Sequence, residues 1–312
     1  RIMTHLRSGL FMRRLWPLLV FILIFGIVWL LADNAKKPVA TTNNYERIIT
    51  LSPSLTETVF ALGLGNRVVA VTDYCDYPPQ AQALPSVGSY TNTSLEAITR
   101  QQPDLVIMLN GQQQTQQQLA DLGIKTLVLD NTSIADIKET ISTIADLTGK
   151  QSEAIQLLNN IQAQIDSVRH KVHNVDPVRT LVGIAHYVNS DQIDTVYIAG
   201  QHDFYNELLE LAGGVNVYTD TAVKVPSVSA EGIIRMNPDA IIDVFPEQKG
   251  HQSDMKQVIK QWQTLHSVNA VKQQRIYIIE HDYASIPGPR IFKLLPEMAR
   301  LLHPDLDWQH ND

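Results

Sequence analysis

The chain has very little cysteine: Cys75 is the only one among its 312 residues. A single thiol cannot form an intramolecular disulfide or the paired thiolate ligands of a structural zinc site, so both are excluded. The sequence also contains neither a Gly-x-Ser-x-Gly motif nor a Gly-Lys-Ser/Thr phosphate-binding loop. These absences remove two common enzyme signatures and a cysteine-based metal site. Our expectation for the chain is a protein that is not an enzyme, with no catalytic residues, no metal site and no resident cofactor.

Positive charge is scarce as well. The formal net charge is −7, and the part of the chain after residue 33 holds 21 basic against 31 acidic residues. A protein with this net negative charge and without a stripe of basic residues is not expected to bind nucleic acid. The hydrophobic share of 44% is typical of a globular protein.

One long hydrophobic run is present, near the N-terminal end. Leu15–Ala32 contains no charge and follows Arg13 and Arg14, which is typical of an export signal with a positive flank. A cleavable core has about 7–15 apolar residues and a membrane span about 20, so residues 1–32 are either a cleaved signal or an uncleaved inner-membrane anchor. Either alternative places the body in the periplasm. The arginines on one side only disfavour a buried core helix.

Residues 33–46 are polar and aperiodic, as expected of a tether, and strands then alternate with helices. Strands are predicted at 47–51, 67–71, 105–108 and 125–129. Helices are predicted from Ser54, where Ser54-x-x-Glu57 has the form of a capping box before a closing Gly63, and around the glutamine-rich residues 112–118. This alternation predicts an N-terminal α/β lobe, residues 47–148, with a parallel sheet covered on both faces.

The pattern changes between Ser152 and His173, where apolar residues recur every three or four positions without Gly or Pro. This spacing predicts one amphipathic helix about 33 Å long, within a connecting segment of residues 149–176. Strands at 180–185, 196–199 and 275–279 and a helix at 203–212 then predict a C-terminal α/β lobe, residues 177–312. A single long helix between two lobes should resist wide hinge closure.

A long-range repeat supports the two lobes. Residues 94–107 (SLEAITRQQPDLVI) recur as residues 229–242 (SAEGIIRMNPDAII), 135 positions later. The spacing is too long for a solenoid, whose units are about 20–50 residues, and fits one helix–turn–strand unit in each lobe. Glu96 and Glu231 occupy the same place in the two copies. Thr93-x-x-Glu96 has the form of a capping box, whereas Val228, three residues before Glu231, cannot cap.

These residues resemble the helical-backbone class of periplasmic substrate-binding proteins, which deliver cobalamin, ferric siderophores or haem to ABC importers. The resemblance covers roughly residues 45–300 and rests on residues 47–57 (RIITLSPSLTE), 71–81 (VTDYCDYPPQA), 95–98 and 102–107. It implies two Rossmann-like α/β lobes with parallel sheets, joined by one long backbone helix, and a monomer with its ligand between the lobes. Glu96 and Glu231 match the surface glutamates that meet arginines of the membrane permease.

Within that class the Asp-Tyr-Cys-Asp-Tyr-Pro-Pro loop is most similar to cobalamin binders, so cobalamin or a related corrinoid is the first expectation. The resemblance assigns Tyr74, Tyr90, Asp282 and Tyr283 to ligand binding. Half-buried packing is the alternative for each tyrosine. The chain departs from the class where cobalamin binders have tryptophans, since Leu109 and Val225 occupy those positions.

His186 is a further ligand-binding candidate, because it ends a predicted strand at the expected ligand edge. Together with a tyrosine it could ligate haem iron, so a haem or ferric-siderophore binder is the second expectation. A polar loop position is the alternative for His186. A membrane-anchored metal-dependent enzyme using His186 and Asp282, and an adaptor without a small ligand, are the remaining hypotheses.

Overall fold

The computed structural model describes residues 44–188, 191–246 and 255–308. The hydrophobic run Leu15–Ala32, predicted as a signal or anchor, lies outside these residues. Among the helices of the described ranges, none is both long enough and apolar enough to cross a membrane.

The first sheet is wholly parallel, as predicted. Its strands lie in the order β2-β1-β3-β4. Their bounds are β1 (Ile48–Thr50), β2 (Val68–Val71), β3 (Leu105–Leu109) and β4 (Thr126–Leu129). Every residue of β3 is buried, as expected of a central strand with helices on both faces.

The helices of this first half are α1 (Pro53–Ala61), α2 (Leu95–Arg100), α3 (Gln113–Asp121) and α4 (Ile134–Thr148). The glutamine-rich segment therefore forms a helix, as predicted. Helix α4 is an addition to the prediction. It begins with a capping box between Ser133 and Asp136 and ends at Gly149, whose φ of 73° lies in the left-handed region that glycine tolerates.

The start of α1 differs from the prediction. The helix begins at Pro53, where the fixed φ and missing N–H of proline cost nothing. Ser54 lies inside the helix and Glu57 is buried, with 3% of its surface exposed. The predicted Ser54–Glu57 capping box is therefore wrong, because Glu57 faces the interior instead of the helix end.

Helix α5 (Gln151–Val172) confirms the predicted long connecting helix to within one residue at each end. Its 22 residues correspond to about 33 Å at 1.5 Å per residue. One face is buried through Ala154, Ile161, Ile165 and Val168. That face packs on α4 from the first half and on α6 (Phe204–Leu211) and α10 (Leu294–Leu302) from the second, so both halves are anchored to one rigid element.

The second sheet is mixed. Its strands lie in the order β10-β9-β5-β6-β8, and β7 also pairs with β5. Strands β5, β7, β9 and β10 are parallel, whereas β6 is antiparallel to β5 and β8. The bounds are β5 (Val178–His186), β6 (Thr195–Ile198), β7 (Gly214–Asn216), β8 (Ser227–Ser229), β9 (Ala240–Val244) and β10 (Ile276–Ile279). The short strands β7 and β8 were not predicted.

The remaining helices of the second half are α7 (Ala230–Met236), α8 (Met255–Gln263) and α9 (Asn269–Lys272). Two short 3-10 helices, Asp282–Ser285 and Pro289–Lys293, lead into α10. The two sheets and the helix between them give the predicted fold class. The residue bounds assigned to the two lobes remain predictions.

The repeat forms the same unit twice, as α2 with β3 and as α7 with β9. In each copy its first serine caps the helix: Ser94 Oγ accepts from the Ala97 N–H at 3.2 Å, and Ser229 Oγ accepts from the Gly232 N–H at 3.3 Å. The predicted cap at Thr93 is wrong, because its hydroxyl donates to the Ser89 carbonyl instead. The two copies therefore have the same cap, and the predicted difference between them disappears.

The turns of the repeat also match. Gln102 and Asn237, which occupy equivalent positions, have left-handed φ values of 47° and 45°. An arginine at the start of the neighbouring strand binds the end of each helix. Arg47, directly before β1, donates from Nε to the Gln101 carbonyl at 3.0 Å, and Arg179, the second residue of β5, donates from Nη2 to the Met236 carbonyl at 2.8 Å. This shared arrangement places both helices in the same way on their sheets.

Candidate functional site

The carboxyl ends of the parallel strands bring polar and aromatic residues to one edge of each sheet. Asn110 follows β3 and Asp130 follows β4 in the first sheet. In the second sheet, Tyr187 follows β5 and Asp282 comes three residues after β10. Ligands of open α/β sheets bind at this edge.

An open cleft of about 810 Å³ lies between the two lobes. This volume is within the range of about 300–1,000 Å³ typical of small-molecule sites. The cleft is lined by Asn110, Gly111, Gln113, Asp130, Thr132, Ser133 and Asp136 of the first lobe and His202, Glu207 and Lys224 of the second. Its polar groups suit a ligand with many hydrogen-bonding substituents.

Hydrogen bonds join the lobes at this cleft. Lys224 Nζ donates to Thr132 Oγ1 at 3.0 Å, and the Phe204 N–H donates to the Thr132 carbonyl at 3.1 Å. Glu207 Oε2 accepts from the backbone N–H of Ile134, the first residue of α4, at 2.6 Å. A carboxylate is favourable there because the first turn of a helix has unpaired N–H groups. The second lobe therefore helps to cap a helix of the first.

Two of the predicted ligand tyrosines are exposed on the first lobe. Tyr90 lies beside the cleft, since its hydroxyl donates to the carbonyl of Asn110 at 3.5 Å and Gln112 Nε2 donates to the Tyr90 carbonyl at 2.8 Å. Tyr74 follows β2 with a left-handed φ of 66° and is 71% exposed. Both rings are accessible to a ligand.

Asp282 is held by an arginine that also reaches the first lobe. Arg290 donates to both carboxylate oxygens of Asp282, at 3.2 and 2.7 Å, and to Glu57 Oε1 at 2.6 Å. Its guanidinium lies 3.7 Å from the ring centre of Tyr77. Partial burial raises the pKa of Asp282, but the hydrogen bonds and charge of Arg290 outweigh it and hold the pKa below the usual value. Asp282 is therefore an oriented carboxylate, 54% exposed at its side chain.

Tyr283 is half-buried and engaged within its own lobe. Its hydroxyl donates to Glu297 Oε2 at 3.0 Å, and its ring stacks on that of His281 with 5.0 Å between centres. Burial, followed by the bond to Glu297, raises the pKa of Tyr283 to about 12. A neutral phenol committed to Glu297 leaves the ring, rather than the hydroxyl, for ligand contact.

His186 does not face the cleft. Its side chain is 1% exposed, and its Nε2 hydrogen-bonds Asp243 Oδ2 at 2.7 Å. Trp262 Nε1 donates to the same oxygen at 2.7 Å. The expectation that His186 contacts the ligand is wrong, and so is the alternative of a polar loop position, because the imidazole belongs to a buried polar network. Since Asp282 binds Arg290 instead, the structure does not combine His186 and Asp282 into a metal site.

Leu109 and Val225, which stand where cobalamin binders have tryptophans, lie in different surroundings. Leu109 is 9% exposed at the end of β3, while Val225 is 41% exposed next to the cleft residue Lys224. Trp262 is buried in the second lobe, and Trp308 donates to the His303 carbonyl near the C-terminal end of the described residues. Neither tryptophan replaces the missing aromatic faces.

Glu96 and Glu231 are equivalent in the structure as well as in the sequence. Each is the second residue of its capped helix, and both are exposed. Glu96 accepts from Arg100 at 2.6 Å, in a pair so exposed that it contributes little to stability. Both carboxylates are thus available to a partner on rigid helix ends.

A second cavity, of about 800 Å³, lies against α5. Phe60 of α1, Tyr77, Leu157 of α5 and Arg290 form part of its wall. The predicted ligand residues line neither cavity, although Tyr90 contacts a residue of the interlobe cleft. The position of the interlobe cleft at the carboxyl ends of β3 and β4 makes it the candidate site.

The sequence did not reveal the cleft residues Thr132, Glu207 and Lys224. It also did not reveal that Arg290 pairs with Glu57. Each acts through a contact between lobes, and no local spacing signals such a pair. Only the position of Arg290 in a Pro-Gly-Pro-Arg segment could have indicated a fixed side chain.

Comparison with known proteins decides the family. The family model for periplasmic binding proteins matches residues 48–283. The chain belongs to the periplasmic binding protein family. A vitamin B12-binding protein of Yersinia pestis (strain Pestoides F) is 31% identical over 219 residues, which is 70% of this chain and 74% of the relative.

Solved structures share the fold of this family member. The periplasmic vitamin B12-binding protein BtuF of Vibrio cholerae matches with a TM-score of 0.69 and 24% identity, over 83% of this chain and 97% of that one. The periplasmic haem-binding protein RhuT from Roseiflexus sp. RS-1 matches with a TM-score of 0.70 and 24% identity, over 83% and 98%. At this identity the likeness shows the fold alone.

Proposed function

We propose that this family member is the substrate-binding protein of an ABC importer and captures cobalamin or a related corrinoid between its lobes. The observation that carries the proposal is the polar interlobe cleft, built at the strand edges of a chain 31% identical to a vitamin B12-binding protein. Tyr74 and Tyr90 supply exposed aromatic surface, and Asp282 supplies an oriented acceptor for ligand amides. The role is capture and delivery, without turnover.

Titration of the 312-residue chain, purified in mild detergent, with cyanocobalamin, haemin and ferric siderophores tests this function. Calorimetry and visible absorbance should show micromolar or tighter binding of cyanocobalamin, with a smaller response to the others. Tyr74→Ala and Tyr90→Ala should each weaken binding. Leu122→Ala should not, because Leu122 is an exposed apolar residue that precedes β4 and so lies away from the carboxyl end of that strand. Absence of cyanocobalamin binding by the native chain contradicts the corrinoid assignment.

Haem or a ferric siderophore is the second candidate. The haem binder RhuT shares the fold, and a phenolate such as that of Tyr74, 71% exposed, is a chemically suitable ligand for ferric iron. This alternative predicts a Soret shift with haemin that is lost in Tyr74→Phe. A corrinoid-specific protein gives no such shift.

Delivery requires a membrane partner, and we assign Glu96 and Glu231 to contact with the permease. They are exposed, equivalent and mounted on capped helices of the two lobes, so a permease with matching cations could bind both at once. Opposite charges across an interface orient partners more than they add affinity. Such a protein works in the periplasm, free or held at the inner membrane by its N-terminal segment.

The docking role predicts that Glu96→Ala/Glu231→Ala keeps ligand affinity but loses transport in cells. The matched control is Glu139→Ala/Asp166→Ala, which also removes two exposed carboxylates, from α4 and α5. Transport should survive in the control. Equal uptake by the two double variants excludes the assigned role.

A further inference from the structure

Tyr187 is a large aromatic residue that the family resemblance does not assign. It directly follows β5, so it lies on the same edge of the second sheet as the residues after β9 and β10. Its side chain is 78% exposed, more than that of Tyr74 or Tyr90. Single exposed apolar residues are common, so exposure alone decides nothing. The surroundings of its backbone are what distinguish it.

The backbone of Tyr187 is fixed by buried polar side chains. Gln261, fully buried in α8, donates its Nε2–H to the Tyr187 carbonyl at 3.1 Å. The preceding residue, His186, is bonded to Asp243 and packs edge-on against Trp262, with 5.8 Å between ring centres. An exposed ring is thus attached to a rigid base, which reduces the entropy lost when a ligand stacks on it.

This polar network is costly to bury. Asp243 lies in the middle of the sheet, fully buried, and accepts from both His186 and Trp262. Gly183 on the neighbouring strand leaves room for it, since a Cβ there would lie 2.9 Å from Asp243 Oδ1. Buried carboxylates are destabilising unless hydrogen-bonded. An apolar core would avoid this energetic cost. The effect of the network that the structure shows is that the end of β5 is held in place.

We infer that Tyr187 is a specificity-determining residue that stacks on the flat face of the bound chelate from the second lobe. His186, Asp243 and Gln261 are its positioning residues. The inference rests on the proposed function and extends it: Tyr74 and Tyr90 supply aromatic surface from the first lobe, and Tyr187 supplies it from the second.

Affinities of Tyr187 variants for cyanocobalamin, measured by calorimetry with the 312-residue chain, test this inference. Tyr187→Ala should weaken binding about tenfold through loss of the stacked ring, whereas Tyr187→Phe should remain within about twofold of the native chain. Leu122→Ala is the control for loss of an exposed apolar side chain. If cyanocobalamin does not bind the native chain and haemin does, the same series is measured with haemin.

The positioning role is tested by combining substitutions. His186→Ala and Gln261→Ala should each weaken binding, yet neither should weaken it further in the Tyr187→Ala background, because both act through that ring. If thermal unfolding shows that either His186→Ala or Gln261→Ala has lost its fold, the positioning role is tested with the other variant. Additive losses overturn the positioning role, and native affinity in Tyr187→Ala overturns the stacking role. If the native chain binds neither chelate, the proposed function fails and this inference fails with it.

Discussion

Arg290 reaches across the junction of the two lobes to Glu57, and its Nη2 lies 2.6 Å from Glu57 Oε1. The two residues are 233 positions apart in the sequence. The side chain of Glu57 is 2% exposed and that of Arg290 is 11% exposed, so the pair is almost removed from water. The same guanidinium orients Asp282 and covers Tyr77. One residue thus ties the first lobe to the ligand edge of the second.

Removing Arg290 should be strongly destabilising. Burial raises the pKa of Glu57, and Arg290 opposes that effect, so Arg290→Ala leaves an unpaired buried carboxylate. We expect a loss of about 3–5 kcal/mol in the free energy of unfolding, measured with urea. Glu57→Gln/Arg290→Met, which removes both charges, should lose much less. If the double variant loses as much free energy of unfolding as Arg290→Ala, the stabilisation comes from packing and not from the ion pair.

Asp203 should make stability depend on pH. Burial raises the pKa of Asp203 to about 6 from 3.8, although the hydrogen bond from the Tyr205 N–H lowers it. The folded state therefore binds this proton more tightly than the unfolded chain. The stability it contributes is complete below pH 3.8 and is lost as the pH rises through about 6. The expected loss is about 2–3 kcal/mol.

Urea unfolding of Asp203→Asn measures this contribution, because the amide oxygen still accepts from the Tyr205 N–H. The difference between native and variant free energies of unfolding should change between about pH 4 and pH 7. The exposed control, Asp166→Asn, should keep the native pH dependence. If Asp203→Asn also keeps the native pH dependence of stability, that dependence does not come from Asp203.

Asp282 should contribute to ligand affinity rather than to stability. Its side chain is 54% exposed, so Asp282→Ala should cost less than about 1 kcal/mol of stability while Arg290 keeps its bond to Glu57. Loss of the oriented acceptor should weaken cyanocobalamin binding about tenfold. Calorimetry checks the affinity, with Asp305→Ala as an exposed aspartate control. Native affinity in Asp282→Ala removes it from the site.

The two serine caps should be equivalent. Ser94→Ala and Ser229→Ala should each reduce the free energy of unfolding by about 1 kcal/mol, because each serine accepts from a first-turn N–H of its helix. Thr93→Ala tests the capping box expected from sequence and should cost less. A larger effect from Thr93 than from Ser94 means that the cap geometry is wrong.

The local patterns of this chain predicted its α/β class and its long connecting helix, but not helix α4, the short strands β7 and β8 or the antiparallel strand β6. The 135-residue repeat predicted two equivalent helix–turn–strand units, and the unbroken spacing from Ser152 to His173 predicted the connecting helix. Errors arose where a side chain had two plausible partners. Glu57 has the spacing of a capping residue but binds Arg290, and His186 ends a strand but turns to Asp243. Thr93 has the spacing of a cap, yet the next residue provides it.

The sequence by itself determined the two α/β lobes, the long helix and the matched glutamates, because helical and strand periodicity and the repeat are properties of neighbouring residues. Only the tertiary structure decided which polar side chains line the cleft, which are buried and which tie the lobes together. Thr132 meets Lys224 and Glu57 meets Arg290 because the chain folds back on itself. Burial then sets their energies, and burial belongs to the whole fold rather than to any segment.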